Sequence, residues 1–258
     1  MSLLELQSAA SAAWGGSAWW HPGGLAWSRP ASIASAGDAW VWVEGDRAAM
    51  LGAVSPEAIE VARSLGAQYL VHHEITIMPE VVGSPFSIDV RRPAEQLAPV
   101  SGPGIRLGEV EDPATFIACH RAAWDPHALP FATPRTFPPG TASSFNEARW
   151  KAVQGDPWFD AALVVVAYEN ETPVASCITW YDPDSGAAEI EPLGVVPPAR
   201  GRGLARLVTQ EAVRRVASRG GREVVVRPRG DDDYPVPLSV YLACGFVGNQ
   251  RDRVYRLP

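Results

Sequence analysis

Val195-Val196-Pro197-Pro198-Ala199-Arg200-Gly201-Arg202-Gly203-Leu204-Ala205 joins a strand to a helix through two prolines and a glycine-rich turn. Upstream, Ala187 to Val195 has strand character. Downstream, Leu204, Leu207, Val208, Ala212, Val213 and Val216 recur at helical spacing until Gly220-Gly221 closes the run. Neither Pro197 nor Pro198 can donate a ladder hydrogen bond, so the strand ends there. The first turn of a helix exposes unpaired backbone N–H groups and the positive end of its dipole, and glycine lets an anion approach that backbone closely. The stretch therefore reads as a phosphate cradle.

Spacing narrows the choice of phosphate ligand. A nucleoside triphosphate loop needs Lys and then Ser or Thr after its last glycine, whereas this turn continues Leu204-Ala205-Arg206. A dinucleotide fingerprint needs a third glycine or alanine where Arg206 stands. About forty residues on comes Leu238-Ser239-Val240-Tyr241-Leu242-Ala243-Cys244-Gly245-Phe246, and Arg222 to Arg227 between the two motifs is a β-branched strand.

Together these motifs resemble the GCN5-related N-acetyltransferases (the GNAT family). Val195, Pro197, Arg200, Gly201 and Gly203 match the family's acetyl-CoA motif, and Tyr241 with Gly245-Phe246 matches its Tyr-x-x-x-Gly-Phe ending. The resemblance covers roughly Gly104 to Pro258. It implies an α/β fold: a mixed, mostly antiparallel sheet with a V-shaped splay, flanked by helices and preceded here by a smaller α/β N-terminal domain. It also implies acetyl-CoA as co-substrate and direct transfer of an acetyl group to an amine. In that arrangement the pantetheine pairs with the backbone of Leu193, Gly194 and Val195. The pyrophosphate rests on the N–H groups of Arg200, Gly201, Arg202, Gly203, Leu204 and Ala205, with Arg202 or Arg206 pairing with phosphate oxygens.

Transfer to an amine calls for a general base, and the departing thiolate for a general acid. The resemblance makes Tyr241 the acid. Glu189 and Glu191 lie two apart on a strand, so both are expected on one face. The position before Val195 that carries the base in the histone-acetyltransferase branch favours Glu189. Other branches place the base near the end of the next strand, where this chain has Arg227, Pro228 and Arg229. One departure stands out: Tyr234 occupies a position where many members have asparagine. Beside it, Asp231-Asp232-Asp233 reads as a solvated loop or as an attractor of a cationic acceptor. Alternatives within the same reading are another short acyl group, a hydroxyl acceptor, or a catalytically silent acyl-CoA-binding or partner-binding module.

With 258 residues, the chain exceeds one such domain. The expected division is an N-terminal module at 1–95, a linker at 96–104 within the proline-rich run Arg91 to Gly104, and the acetyltransferase domain at 105–258. Six of the ten tryptophans, Trp14, Trp19, Trp20, Trp27, Trp40 and Trp42, fall in the first module. There Asp38 to Val43 and Gln68 to Ile77 read as strands, and Pro56 to Leu65 as a helix begun by Ser55. Strand, helix, strand is half of the acetyltransferase pattern, so a diverged repeat is expected, one without an Arg-Gly-x-Gly loop and hence without CoA. Its aromatic surface would suit packing, an acceptor site or a homodimer contact. Ile105 to Val110 begins the second domain as a strand, and Asp112-Pro113 opens a helix through Trp124. Asp125 to Ala142 is irregular; Trp124, His127, Phe131 and Phe137 are candidates for acceptor contact.

A net charge of −7 argues against nucleic acid or an anionic membrane as partner. Cys119, Cys177 and Cys244 supply neither a disulfide framework nor a zinc spacing, and the adjacent His72 and His73 point to opposite faces of a strand, so no metal site is expected. The segment beginning Met1-Ser2-Leu3-Leu4-Glu5 lacks signal-peptide character and no long apolar span occurs, giving a cytoplasmic expectation.

Overall fold

A computed structural model of the chain describes residues 2–14, 20–73, 75, 78, 80–81, 86–131 and 142–258. Trp19, Ile77 and Phe137 lie outside the described residues. The chain opens with α1 (Leu3–Ala13), where Ser2 and Glu5 cap each other reciprocally. Then α2 (Pro22–Ser28) is begun by His21, whose Nδ1 accepts the Gly23 N–H. An antiparallel meander follows, β1 (Ser32–Ala36), β2 (Ala39–Glu44) and β3 (Arg47–Leu51). Next, α3 (Pro56–Ser64) crosses over to β4 (Tyr69–His72), parallel to β3. Of the strand expected over Gln68 to Ile77, β4 accounts for Tyr69–His72.

After β5 (Ile88–Pro93) the pattern recurs on a larger scale. A helix α4 (Pro113–Ala123), opened by the Asp112 carboxylate, and α5 (Glu147–Gln154) follow β6 (Ile105–Gly108). A second meander runs through β7 (Val165–Glu169), β8 (Thr172–Asp182) and β9 (Ala187–Val195), and α6 (Leu204–Ser218) crosses to β10 (Glu223–Val226), parallel to β9. The chain ends with α7 (Val236–Ala243), β11 (Val247–Arg251) and β12 (Arg253–Arg256).

The two sheets have the orders β1-β2-β3-β4-β12 and β11-β5-β10-β9-β8-β7-β6. Each parallel crossover strand is followed in space by an antiparallel neighbour drawn from the other half of the chain: β12 lines β4, and β5 lines β10. The halves have exchanged strands. A boundary at 96–104 consequently does not separate the sheets. Arg91–Pro93, expected at the edge of a linker, are strand residues of the second sheet, and the last strand of the chain belongs to the first.

Helices α1 and α2 lie between the sheets. Leu6, Ala10 and Leu25 pack with Trp42, Ala49 and Leu51 of the first sheet, while Ala26 joins the aromatic cluster of Phe116, Phe145, Trp150 and Trp180 on the second. Gly23 and Gly24 make that seat possible. A Cβ on Gly23 would sit 2.1 Å from the Trp180 Cβ, and one on Gly24 would sit 2.6 Å from the Glu189 carboxylate.

Candidate active site

The glycine turn forms as the spacing predicts. Gly201 and Gly203 take left-handed φ values of 73° and 78°, and a Cβ on either would meet nothing within 4 Å, so both face open space. Gly203 is the N-cap of α6 and, lacking a side chain, leaves the first N–H groups of the helix uncapped. The corresponding helix of the first half, α3, differs: Pro56 removes one donor and the Ser55 hydroxyl takes another, at 3.1 Å from the Ala58 N.

Next to the turn, β9 is half unzipped. It pairs with β10 only from Ala187 to Glu189, whereas its pairing with β8 continues to Val195. The β10-facing edge of Leu193, Gly194 and Val195 is thereby left to a cavity of about 750 Å³ that these residues line with the turn, Arg206 and Tyr241. An extended ligand along that edge, with its phosphates on the α6 N-terminus, fits this arrangement of free donors.

A bulge in β9 begins at Glu191, just after Glu189 and Ile190. Ile190 faces Thr179 and Leu193 faces Cys177, so Glu191 and Pro192 together stand opposite Ile178. The Trp180 indole donates to the Glu191 carbonyl at 2.6 Å and holds the bulge. Glu191 lines the 750 Å³ cavity and also a second one of about 520 Å³, with Trp27, His120, Trp124 and Phe131 among its walls. Glu189, the glutamate the sequence favoured, is 4% exposed beneath α2, with its carboxylate 3.8 Å from His21 Nδ1, and lines neither cavity. Burial, and then the neighbouring Glu191 charge, push the Glu189 carboxyl up to about 8. Burial likewise lifts Glu191, to about 7, against the pull of Arg227. Tyr241 is buried against Phe246, and that burial raises its phenol well above the ordinary value. Burial drives His120 down to about 4, so its imidazole is neutral.

The arginines divide the work in a way their spacing did not reveal. Arg200 clips the turn to the end of α4, its guanidinium donating to Val195 O at 3.1 Å, Ala123 O at 3.0 Å and also Ala128 O. Arg202 forms a two-point pair with Glu169 on the surface, and Arg206 is the one of the two proposed phosphate partners that lines the cavity. Asp231 is no solvated carboxylate: it is buried and grips Arg229 through both oxygens, at 2.8 and 2.6 Å. Tyr234 stacks on Phe131 with ring centroids 4.7 Å apart and lines the larger cavity. Trp124 and Phe131 line the second cavity as expected; His127 is exposed and does not. The sequence reading missed His120 and Trp27. His120 lies four residues before Trp124, hence on the same face of α4, a spacing that would have found it. Trp27 comes from the other half of the chain, where the sequence offered it only as one of six tryptophans suited to packing, an acceptor site or a homodimer contact.

An uncapped helix N-terminus and a half-open strand thus border one cavity, with the half-buried Glu191 and the buried Tyr241 on its walls. Comparison with known proteins gives the class of fold. Residues 129–246 match the model of the acetyltransferase (GNAT) family, and this part of the chain is a GNAT domain. A mycothiol acetyltransferase of Mycobacterium marinum is 28% identical over 191 residues, covering 66% of this chain and 56% of that protein. The chain thus spans about half the length of the curated relatives it matches. Among solved structures, a GCN5-related N-acetyltransferase from Kribbella flavida superposes with a TM-score of 0.58 at 18% identity, over 89% of this chain and 90% of that one. A tandem GNAT protein from the clavulanic acid biosynthesis pathway does so with a TM-score of 0.56 at 13% identity, over 100% and 95%. Among the described residues no helix is long and apolar enough to cross a membrane, and no group of His, Cys, Asp and Glu is arranged to hold a metal.

Proposed function

We propose that the chain is an acetyl-CoA-dependent N-acetyltransferase acting by direct transfer on a small-molecule amine. One observation carries the reading: Glu191 stands where the cavity beside the uncapped α6 meets a second, aromatic-walled cavity, with Tyr241 on the first. Bound acetyl-CoA supplies an activated acyl carbon, whose C–S bond breaks as the C–N bond forms. Glu191, with its pKa near neutrality, takes the proton from the attacking amine. Tyr241, held protonated by burial, gives one to the departing sulfur. The uncapped N–H groups of α6 and the Arg206 side chain hold the phosphates, and Leu193 to Val195 align the pantetheine. A covalent acetyl-cysteine route is disfavoured: burial pushes the Cys119 and Cys177 thiols up to about 12, leaving negligible thiolate.

The relatives named mycothiol acetyltransferase support a small-molecule acceptor. The second cavity suits an amine with an apolar or ring-bearing body, since Trp27, Trp124 and Phe131 form its walls and Glu191 can meet the nitrogen. Calorimetric titration with acetyl-CoA and CoA, followed by thiol release across a panel of primary amines, tests the reading. Micromolar binding and release with at least one amine is expected. Binding without release from any amine would make the chain a silent acyl-CoA-binding module; absence of binding would refute the cradle itself.

A further inference from the structure

Trp124 caps the C-terminal end of α4, and its indole N–H is buried without a hydrogen-bond partner among the described residues. A buried N–H left unpaired costs stability comparable to a lost hydrogen bond, so its persistence calls for a ligand or a compensating role. Its position is informative. A Cβ built on Gly194 would lie 3.1 Å from the indole nitrogen and 2.7 Å from Ala123 Cβ, so only glycine lets the end of α4 touch the open part of β9. Trp124 lines both cavities, as Glu191 does. Arg200 of the glycine turn fixes it there through the Ala123 and Ala128 carbonyls, tying the indole to the same loop that cradles phosphate.

We propose that the Trp124 indole N–H is a hydrogen-bond donor to the acyl carbonyl oxygen of the bound thioester. The inference rests on the acetyl-transfer reading. At the junction of the cavities a donor beside Gly194 meets an acyl group at the end of a pantetheine lying along Leu193 to Val195. As the amine nitrogen bonds to the carbonyl carbon, negative charge gathers on that oxygen, and a fixed donor stabilises it. His120, with its ring centroid 6.3 Å from that of Trp124, is neutral and adds no charge of its own beside the indole.

The test compares acetyl-CoA with S-ethyl-CoA, a thioether with the same two carbons and no carbonyl oxygen, on the wild-type chain and on Trp124→Phe, by calorimetry. The wild type is expected to prefer acetyl-CoA, and Trp124→Phe to lose about 3–10-fold of that preference while holding free CoA as the wild type does. An unchanged preference in Trp124→Phe, with CoA still bound, overturns the donor and leaves the acetyltransferase reading standing. A wild-type preference below about twofold also overturns it, whether or not the variant folds. Failure of the wild type to bind CoA overturns both.

Discussion

Replacing each β9 glutamate by glutamine tests whether Glu191, rather than the Glu189 that the sequence favoured, is the base. Glu191→Gln removes the base from the junction of the cavities, and the expected loss in acetyl transfer is about 10²- to 10⁴-fold with acetyl-CoA affinity retained. The wild-type rate should rise with pH through about 7, as Glu191 gives up its proton, and level off above. Glu189→Gln should leave the rate nearly unchanged, because a carboxyl raised to about 8 is already neutral at pH 7 and is well imitated by an amide. Its effect falls on stability. The folded chain keeps the Glu189 proton up to about pH 8, while the unfolded chain releases it above the ordinary value of 4.5. The unfolded state is therefore favoured progressively as pH rises through that window. At about 1.4 kcal/mol per pH unit the penalty reaches up to about 3 kcal/mol at pH 7 and vanishes below 4.5. Glu189→Gln should relieve it, raising stability at pH 7 and leaving it unchanged at pH 4.5. Thiol release measures the rates and urea unfolding at the two pH values measures the stabilities. A hundredfold loss of rate in Glu189→Gln with an active Glu191→Gln would reverse the assignment, and equal stabilisation at both pH values would refute the buried-proton argument.

Gly203→Glu should abolish CoA binding in calorimetry, since the new side chain enters the open space over the α6 N-terminus and repels phosphate; the left-handed φ adds about 1 kcal/mol of destabilisation, and unchanged affinity would remove the cradle. Tyr241→Phe should lower turnover about a hundredfold or more while acetyl-CoA affinity stays within twofold, and equal turnover would end its role as acid. Gly23→Ala drives a methyl into Trp180 and should cost about 1–3 kcal/mol in urea unfolding; a change below about 0.5 kcal/mol would show that α2 does not sit on β8 this closely.

What the sequence made legible is local. Arg200-Gly201-Arg202-Gly203 announces its turn because only glycine adopts those φ values freely, and α6 announces itself by a periodic apolar face ending at Gly220. Asp112 and Ser55 cap the helices they were expected to open. The illegible parts depend on residues far away. Strand periodicity says which face of β5 is buried but not that its neighbours are β10 and β11. The alternation of β9 did not foretell the bulge at Glu191 and Pro192, a one-residue event that shifts a period of two from Leu193 onward. Among Arg200, Arg202 and Arg206, which guanidinium is left for a ligand is decided by the partners that distant elements offer, Glu169 for Arg202 and three carbonyls for Arg200, although Arg200 and Arg206 both line the cavity.

The half of the chain whose helix terminus is already filled by Ser55 and Pro56 is nonetheless built into the site. It inserts β5 beside β10, and its Trp20 packs on the Arg227 guanidinium at 3.8 Å, where Arg227 lines the larger cavity and pairs with Asp252 at 2.7 Å. Its Trp27 forms a wall of the second cavity. Above all, α2 covers Glu189. Were that carboxylate in water it would ionise near its ordinary pKa, and a second negative charge two residues from Glu191 would hold the Glu191 proton more tightly. By keeping Glu189 neutral, the packing of Gly23 and Gly24 on the sheet removes that charge from beside Glu191, the base in the proposed transfer, whose pKa is about 7. In the proposed transfer, the half whose own helix terminus is capped thus sets the protonation of the base in the other.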